Sequence, residues 1–450
     1  MTRVAWIVLF GGLAGAKLHA EVLKHAPPGI SYHVPKGILP TYSSKVVSVN
    51  HHVHQLRPVS TRHGFAMNLN SKSAASVLGI HQRHAGGFGY ENITTTSAYG
   101  TQYAIEATWD GHPLSLLIDT GSSDTWAVSK DFHCIDYTGQ FLPQSSCGFG
   151  EAYPDAFQYG RTDPPTHMFI QYGDGEIVTG PMGFSDITIG NITVKKQQVC
   201  LANTTYWFGN NYTSGLLGLA FPSLTNAYYG DSGTDHDYGS QVQYSPLFTS
   251  MVSQGLVDPL FSIAIDRNAS SGMISFGGIA PAVGADFSRS ATLDMIITNI
   301  IGVPATAFQY SFYTVIPDGW YFDSTMNTKK YPYIVDSGTT LNYLPPSLAD
   351  AINAAFTPPA VYMWMYGAYF TSCDAIAPQV AVVLDGEKFY INPVDLIYRT
   401  MVDPLTGLCM TAIASGGSGP YILGDVFMQN ALVVFDVGEA KMRFIPRPHY

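Results

Sequence analysis

From about Ala98 onward, the hydrophobic and polar positions read as short β-strands broken by turns. Runs rich in Val, Ile, Phe, Tyr and Thr recur at Gln102–Ala107, Leu114–Ile118, Met168–Tyr172, Met182–Ile189, Phe261–Ile265, Met273–Phe276 and Ala431–Phe435, separated by Gly, Asp and Asn. Helical segments look few and short, the best being Pro246–Gln254 and Leu348–Ala355. The stretch Asn226–Gln243, rich in Gly, Ser, Asp and Tyr, reads as an exposed loop with no chemistry of its own. The pattern predicts a mainly β body.

The start of the chain follows a different rule. Arg3 precedes the apolar run Val4–Ala16, and Ala14-Gly15-Ala16 supplies small residues for cleavage, so residues 1–16 read as a secretory signal peptide. The run is shorter than the roughly 20 residues of a membrane span. No later stretch reaches that length, so no membrane anchor is expected. Five Asn-x-Ser/Thr sequons, at Asn92, Asn191, Asn203, Asn211 and Asn268, agree with secretion and are candidate glycosylation sites.

Composition narrows the function classes. Apolar residues make up 46 % and charged residues 12 % of the 450, which excludes a disordered chain. A net charge of −11 argues against nucleic acid as a partner. The charge is unevenly placed: residues 17–90 hold eight Lys/Arg against one acid, Glu21, and nine of the 14 histidines. A basic, His-rich leader thus precedes an acidic body. The remaining histidines, His112, His133, His167, His236 and His449, show no ligand spacing and read as surface or loop residues. The five cysteines form no CxxC pair, and neither a metal nor a cofactor is expected.

The body repeats itself. Leu116-Leu117-Ile118-Asp119-Thr120-Gly121-Ser122-Ser123 is echoed by Tyr333-Ile334-Val335-Asp336-Ser337-Gly338-Thr339-Thr340. Each copy is followed by two apolar residues and a glycine, Leu216-Leu217-Gly218 and Ile422-Leu423-Gly424. Two similar β lobes, each with one Asp on a tight turn, would meet about a pseudo-twofold axis. Neighbouring carboxyls cannot both ionise cheaply, so they share a proton. Such a pair can take a proton from water and give one to a carbonyl.

These residues resemble the pepsin-like aspartic proteases, and more narrowly the secreted fungal type. The resemblance spans about residues 98–447 through Asp119-Thr-Gly-Ser-Ser-Asp-Thr-Trp126, Tyr172-Gly-Asp-Gly175, Gly215–Pro222, Asp336-Ser-Gly-Thr-Thr340 and Ile422–Phe427. It implies a bilobal β fold with a cleft between the lobes, divided as signal peptide 1–16, pro-segment 17–90, N-terminal lobe 91–282 and C-terminal lobe 283–450. It implies Asp119 and Asp336 as the catalytic pair, supported by Thr120, Gly121, Ser122, Ser337, Gly338 and Thr339. Ser337 departs from the commoner Thr but keeps the hydroxyl. Tyr172, Gly173 and Asp174 would form a flap over bound peptide, with Trp126 bonded to Tyr172 and Leu117 beside them. Asp174 would let the enzyme accept Lys as well as bulky apolar residues before the scissile bond, through an ion pair. Disulfides Cys134–Cys147 and Cys373–Cys409 are implied, leaving Cys200 as a buried free thiol.

The expected function is a secreted or vacuolar monomeric endopeptidase, made as a zymogen, that cuts protein or peptide substrates at acid pH. A binding or inhibitor protein with a dead site on the same fold is the alternative, and a two-carboxylate glycoside hydrolase would leave the matching turns unexplained. With no dibasic pair in residues 17–90, autoprocessing near His84–Ser97 is expected.

Overall fold

The computed structural model describes residues 102–231, 236, 239–266, 272–280, 282, 284–298 and 309–447, with the backbone of strands Gly89–Asn92 and Thr94–Thr95. The expected signal peptide, almost all of the basic leader, and the side chains of Asn92 and Asn268 lie outside the described residues.

The protein is mainly β and bilobal. In its first half, the strands Gln241–Val242, Ala227–Tyr229, Thr166–Gln171, Ile177–Ile189, Ile192–Tyr206, Thr125–Ile135, Gly215–Gly218, His112–Asp119, Tyr103–Trp109 and Thr94–Thr95 form one sheet in that spatial order. The second half builds three smaller sheets. The one that matters for the site runs Thr314–Val315, Tyr333–Val335, Tyr421–Leu423, Asn342–Leu344 and Ile413–Ser415.

A six-stranded antiparallel sheet joins the halves. Its order is Gly89–Asn92, Gly272–Phe276, Leu260–Ile265, Ala431–Asp436, Lys441–Pro446 and Ala291–Asp294. Chain from both sides of the expected boundary at residue 282 therefore pairs within one sheet. One apolar core continues through it, with Phe261 stacked on Phe435 at 4.5 Å and buried Leu116, Trp109, Trp320 and Val382 on either side. Apolar burial of this extent is the main force holding the halves together.

The sequence echo has a structural counterpart. His112–Asp119 pairs in parallel with Gly215–Gly218, setting Asp119 beside Gly218. Tyr333–Val335 pairs in parallel with Tyr421–Leu423 in the same way. The apolar-apolar-Gly elements are thus central strands that flank each Asp-bearing turn. Gly218 packs against the Ser123–Asp124 backbone and Gly424 against the Thr339 carbonyl, where a side chain has no room.

Two expectations need correction. The Asn226–Gln243 stretch is not simply a loop. Ala227–Tyr229 pairs with Thr166–Met168 and with Gln241–Val242, because a short Ala-Tyr-Tyr run there completes the sheet edge. His167 is not a surface residue either. It is buried on the strand Thr166–Gln171, where Nδ1 lies 3.0 Å from the Gly230 carbonyl oxygen. The helices Leu247–Ser253 and Pro346–Ala354 lie where helical spacing placed them.

Candidate active site

Each lobe delivers one aspartate at the end of a buried strand, and the turn after it is shaped by the carboxylate. Asp119 Oδ1 accepts the Gly121 N–H at 2.7 Å, and Oδ2 accepts the Ser122 hydroxyl in a short bond. Asp336 repeats this: Oδ1 accepts the Gly338 N–H at 2.9 Å and Oδ2 the Thr339 hydroxyl at 2.6 Å. Each carboxylate is pinned by a backbone and a hydroxyl donor.

The turns interlock across the lobes. The Thr120 hydroxyl donates to the Val335 carbonyl at 3.0 Å and accepts the Ser337 N–H at 2.9 Å. Ser337 answers by donating to the Ile118 carbonyl at 3.2 Å and accepting the Thr120 N–H at 3.2 Å. Ser337 makes the same exchange its partner makes, so its hydroxyl, not a β-methyl, is what the position uses.

This grip brings the two acids together. A Cβ on Gly121 would stand 2.7 Å from the Asp336 carboxyl, and one on Gly338 would stand 2.5 Å from Asp119 Oδ1. Each glycine leaves the space that the opposite carboxyl occupies. The two carboxyls hydrogen-bond each other, and Asp119 is pushed up to about 8, first by burial and then by the Asp336 charge.

A hairpin lies close enough to the pair for the Asp119 charge to act on its Tyr172. Strands Thr166–Gln171 and Ile177–Ile189 pair from His167 to Ile177. The turn closes with the Tyr172 N–H on the Glu176 carbonyl at 2.8 Å and Gly175 at a φ of 93°, which glycine adopts without strain. Tyr172 Oη accepts the Trp126 indole N–H at 2.8 Å, and its ring meets Trp207 edge-on at 5.6 Å. Trp126 is fully buried, and Leu117 shares its apolar cluster, against which Tyr172 packs. Burial and the Asp119 charge hold the Tyr172 phenol well above its ordinary range, so it stays neutral. Asp174, half-buried, accepts the Glu176 N–H at 3.0 Å rather than facing solvent freely.

Three further acids near the site were not singled out by the sequence. Asp124 is buried beside the first turn and accepts from Tyr244 Oη at 2.7 Å and from the Asn226 backbone and side chain. Asp425 is fully buried with neither carboxyl oxygen hydrogen-bonded among the described residues, and burial and repulsion from Asp336 and Asp119 hold it well above the usual carboxylate range. The third is Glu176, on the hairpin. The only sequence signal for Asp425 is its place in the Ile422–Phe427 motif.

The remaining candidates are distributed as follows. Disulfides join Cys134 to Cys147 and Cys373 to Cys409, and Cys200 is a buried free thiol whose acidity burial suppresses. Asn191, Asn203 and Asn211 are exposed. Among the described residues no group of His, Cys, Asp and Glu is placed to hold a metal ion, and no helix is long and apolar enough to cross a membrane.

Comparison with known proteins points the same way. The family model for eukaryotic aspartyl protease matches residues 102–446. A probable aspartic-type endopeptidase of Aspergillus fumigatus is 39 % identical over 364 residues, covering 77 % of this chain and 79 % of that protein. Penicillopepsin-3 of Penicillium janthinellum is 27 % identical, covering 79 % and 80 %. The crystal structure of an aspartic proteinase from Irpex lacteus superposes with a TM-score of 0.60 at 17 % identity, over 80 % of this chain and 98 % of that one, which is a likeness of fold.

Proposed function

The chain belongs to the eukaryotic aspartyl protease family and is an aspartic endopeptidase acting on proteins or peptides, and from that premise we propose that Asp119 and Asp336 cut the peptide bond together by sharing one proton. A dead-site binding protein is not favoured. The observation that carries the reading is the reciprocal packing of Gly121 against the Asp336 carboxyl and of Gly338 against that of Asp119.

The pair titrates as a unit: the first proton lost makes it active, and loss of the second silences it. The ionised member takes a proton from a water held between them, and the water oxygen bonds to the scissile carbonyl carbon. The protonated member gives its proton to the carbonyl oxygen. Collapse of the resulting gem-diol breaks the C–N bond: one of its hydroxyls returns a proton to the carboxylate that gave one, and the leaving nitrogen takes the proton first drawn from water. No covalent enzyme intermediate is needed. Activity at acid pH follows, because one carboxyl must keep its proton.

The hairpin closes over an extended peptide, excludes water and sets the scissile bond over the dyad. Bulky apolar residues suit the Leu117–Trp126 side of the cleft, and Asp174 extends acceptance to Lys. Kinetics on paired Leu and Lys peptides test this last point: equal loss for Lys in wild type and Asp174→Ala rejects it.

We further read residues 1–16 as a signal peptide, residues 17–90 as a pro-segment, residues 91–282 and 283–450 as the two catalytic lobes, and the enzyme as secreted and monomeric. The basic leader pairs with the acidic body at neutral pH. In acid the body's carboxylates take up protons and the leader histidines gain charge below about pH 6.5, so the leader is released.

The test is hydrolysis of denatured haemoglobin at acid pH. Cleavage blocked by a statine-type inhibitor, whose hydroxyl mimics the gem-diol, supports the reading. Cleavage insensitive to it rejects the dyad mechanism.

A further inference from the structure

The hairpin carries a second pair of carboxyls. Asp174 and Glu176 flank Gly175 at its tip, and their side chains hydrogen-bond each other. Glu176 is buried, and its Oε1 accepts the Phe208 N–H at 2.6 Å. Phe208 follows the long strand Ile192–Tyr206, whose last residue pairs with Ile177, so this bond extends that pairing through a side chain to the tip of the hairpin. Asp174 is tied back by the Glu176 N–H. The two bonds fix the segment directly after Tyr172, the residue whose phenol feels the Asp119 charge.

We propose that Glu176 is a positioning residue of the flap: its carboxyl shares one proton with that of Asp174 while accepting the Phe208 N–H, and loss of the shared proton frees the hairpin tip. The inference rests on the reading of the dyad given above.

The surroundings make the pair sensitive to pH. The groups facing it are Tyr172 on the hairpin itself, Tyr206 with Asp136 and Tyr137 behind it, and Tyr343 from the second lobe. None is a cation, and no ion pair reaches either carboxyl among the described residues. Burial raises both acids, and Asp174 adds to the rise of Glu176. Two buried like charges side by side have one backbone N–H each and no cation among the described residues to offset them, so the second ionisation drives the carboxyls apart. Tyr172 then loses its fixed place over Asp119. A carboxyl that donates to its neighbour holds the flap at acid pH, and a carboxylate that repels it does not.

The experiment is the pH profile of kcat/KM for one peptide substrate, from acid to neutral, in wild type, Glu176→Gln and Asp174→Asn. The Gln amide keeps an oxygen for the Phe208 N–H and an N–H for Asp174, but does not titrate. Wild type is expected to lose activity on the neutral limb more steeply than the tenfold per pH unit of a single ionisation, since the dyad and the hairpin pair both fail there. Both variants are expected to fall by about tenfold per unit, starting at higher pH. Limbs that superimpose on wild type in slope and midpoint overturn the proposal. If Glu176→Gln does not fold, Asp174→Asn makes the same test from the other partner. Asp119→Asn measured beside them separates the two readings. A fully active Asp119→Asn overturns the dyad, whereas an inactive Asp119→Asn with an unmoved Glu176→Gln profile overturns the hairpin pair alone.

Discussion

Thr120 and Ser337 hold each other across the lobes: the Thr120 hydroxyl accepts the Ser337 N–H at 2.9 Å, and the Ser337 hydroxyl accepts the Thr120 N–H at 3.2 Å. Each hydroxyl also donates to the carbonyl of the residue before the other lobe's Asp, Val335 or Ile118. All of these groups are buried away from water. Thr120→Val keeps the shape and removes the hydroxyl, leaving the Val335 carbonyl and the Ser337 N–H unpaired. Each such loss costs about 1–3 kcal/mol. Denaturant unfolding of Thr120→Val is expected to show a stability loss in that range or above, with kcat falling because the aspartates drift apart. Ser337→Thr, which retains the hydroxyl, is expected to stay near wild type in both.

The glycines beside the dyad predict a sharper kinetic effect. Ala at position 338 puts a methyl 2.5 Å from Asp119 Oδ1, closer than any real contact allows. The carboxyl must shift by a few tenths of an ångström or more. A displacement of up to about 1 Å in a reacting group costs on the order of a hundredfold in rate. Steady-state kinetics on Gly338→Ala should show kcat reduced toward that extent.

Burial of acids makes the fold prefer acid. Asp119, Asp124, Asp174, Glu176, Asp425 and Asp436 are all raised, chiefly by burial. A raised acid binds more protons folded than unfolded, so its penalty is absent below the ordinary carboxylate pKa and grows as pH climbs toward the folded value. For Asp119 that window runs from about 4 up to about 8. Asp186, Asp318 and Asp403 are lowered and act in the opposite sense, weakening the fold only below the ordinary range. Scanning calorimetry on Asp336→Asn, which avoids self-digestion, is expected to give a higher Tm at pH 4.5 than at pH 7.5. Adding Asp425→Asn should narrow the gap, because Asp425 has no hydrogen-bond donor to support its charge among the described residues.

The edge strand Gly89–Asn92 constrains processing. It pairs residue by residue with Met273–Phe276 and completes the sheet that joins the halves. Cleavage within the expected His84–Ser97 stretch that keeps this strand whole falls before Gly89, two residues earlier than the pro-segment boundary read at residue 90. Mass spectrometry of the active enzyme should find its N-terminus at or before Gly89. Incubating purified proenzyme and its Asp119→Asn variant across pH tests self-cleavage: equally fast conversion of the variant, with no helper protease, rules it out.

How much was legible in the sequence follows the range of each interaction. The Asp119 and Asp336 turns were readable because the groups that pin each carboxylate are local: a hydroxyl and a glycine within three residues. Gly218 and Gly424 were readable only as an echo, since their role depends on parallel pairing across the lobe. Three strands of the joining sheet were legible as runs, but their pairing left no local trace, because the register of Leu260–Ile265 with Ala431–Asp436 is set by packing between distant segments. Glu176 was not singled out in the sequence, because its partner, the Phe208 N–H, lies 32 positions away. His167 was misread because nothing in a lone histidine on a strand says which face it takes.

The central claim is that the two aspartates act as one unit. Its most direct measurement is kcat/KM on a peptide substrate at acid pH for Asp119→Asn, Asp336→Asn and the double variant. The account predicts that either single change costs on the order of a thousandfold or more, and that the double change costs hardly more than one. A single variant keeping more than about a tenth of wild-type activity, or two losses that multiply, would contradict it.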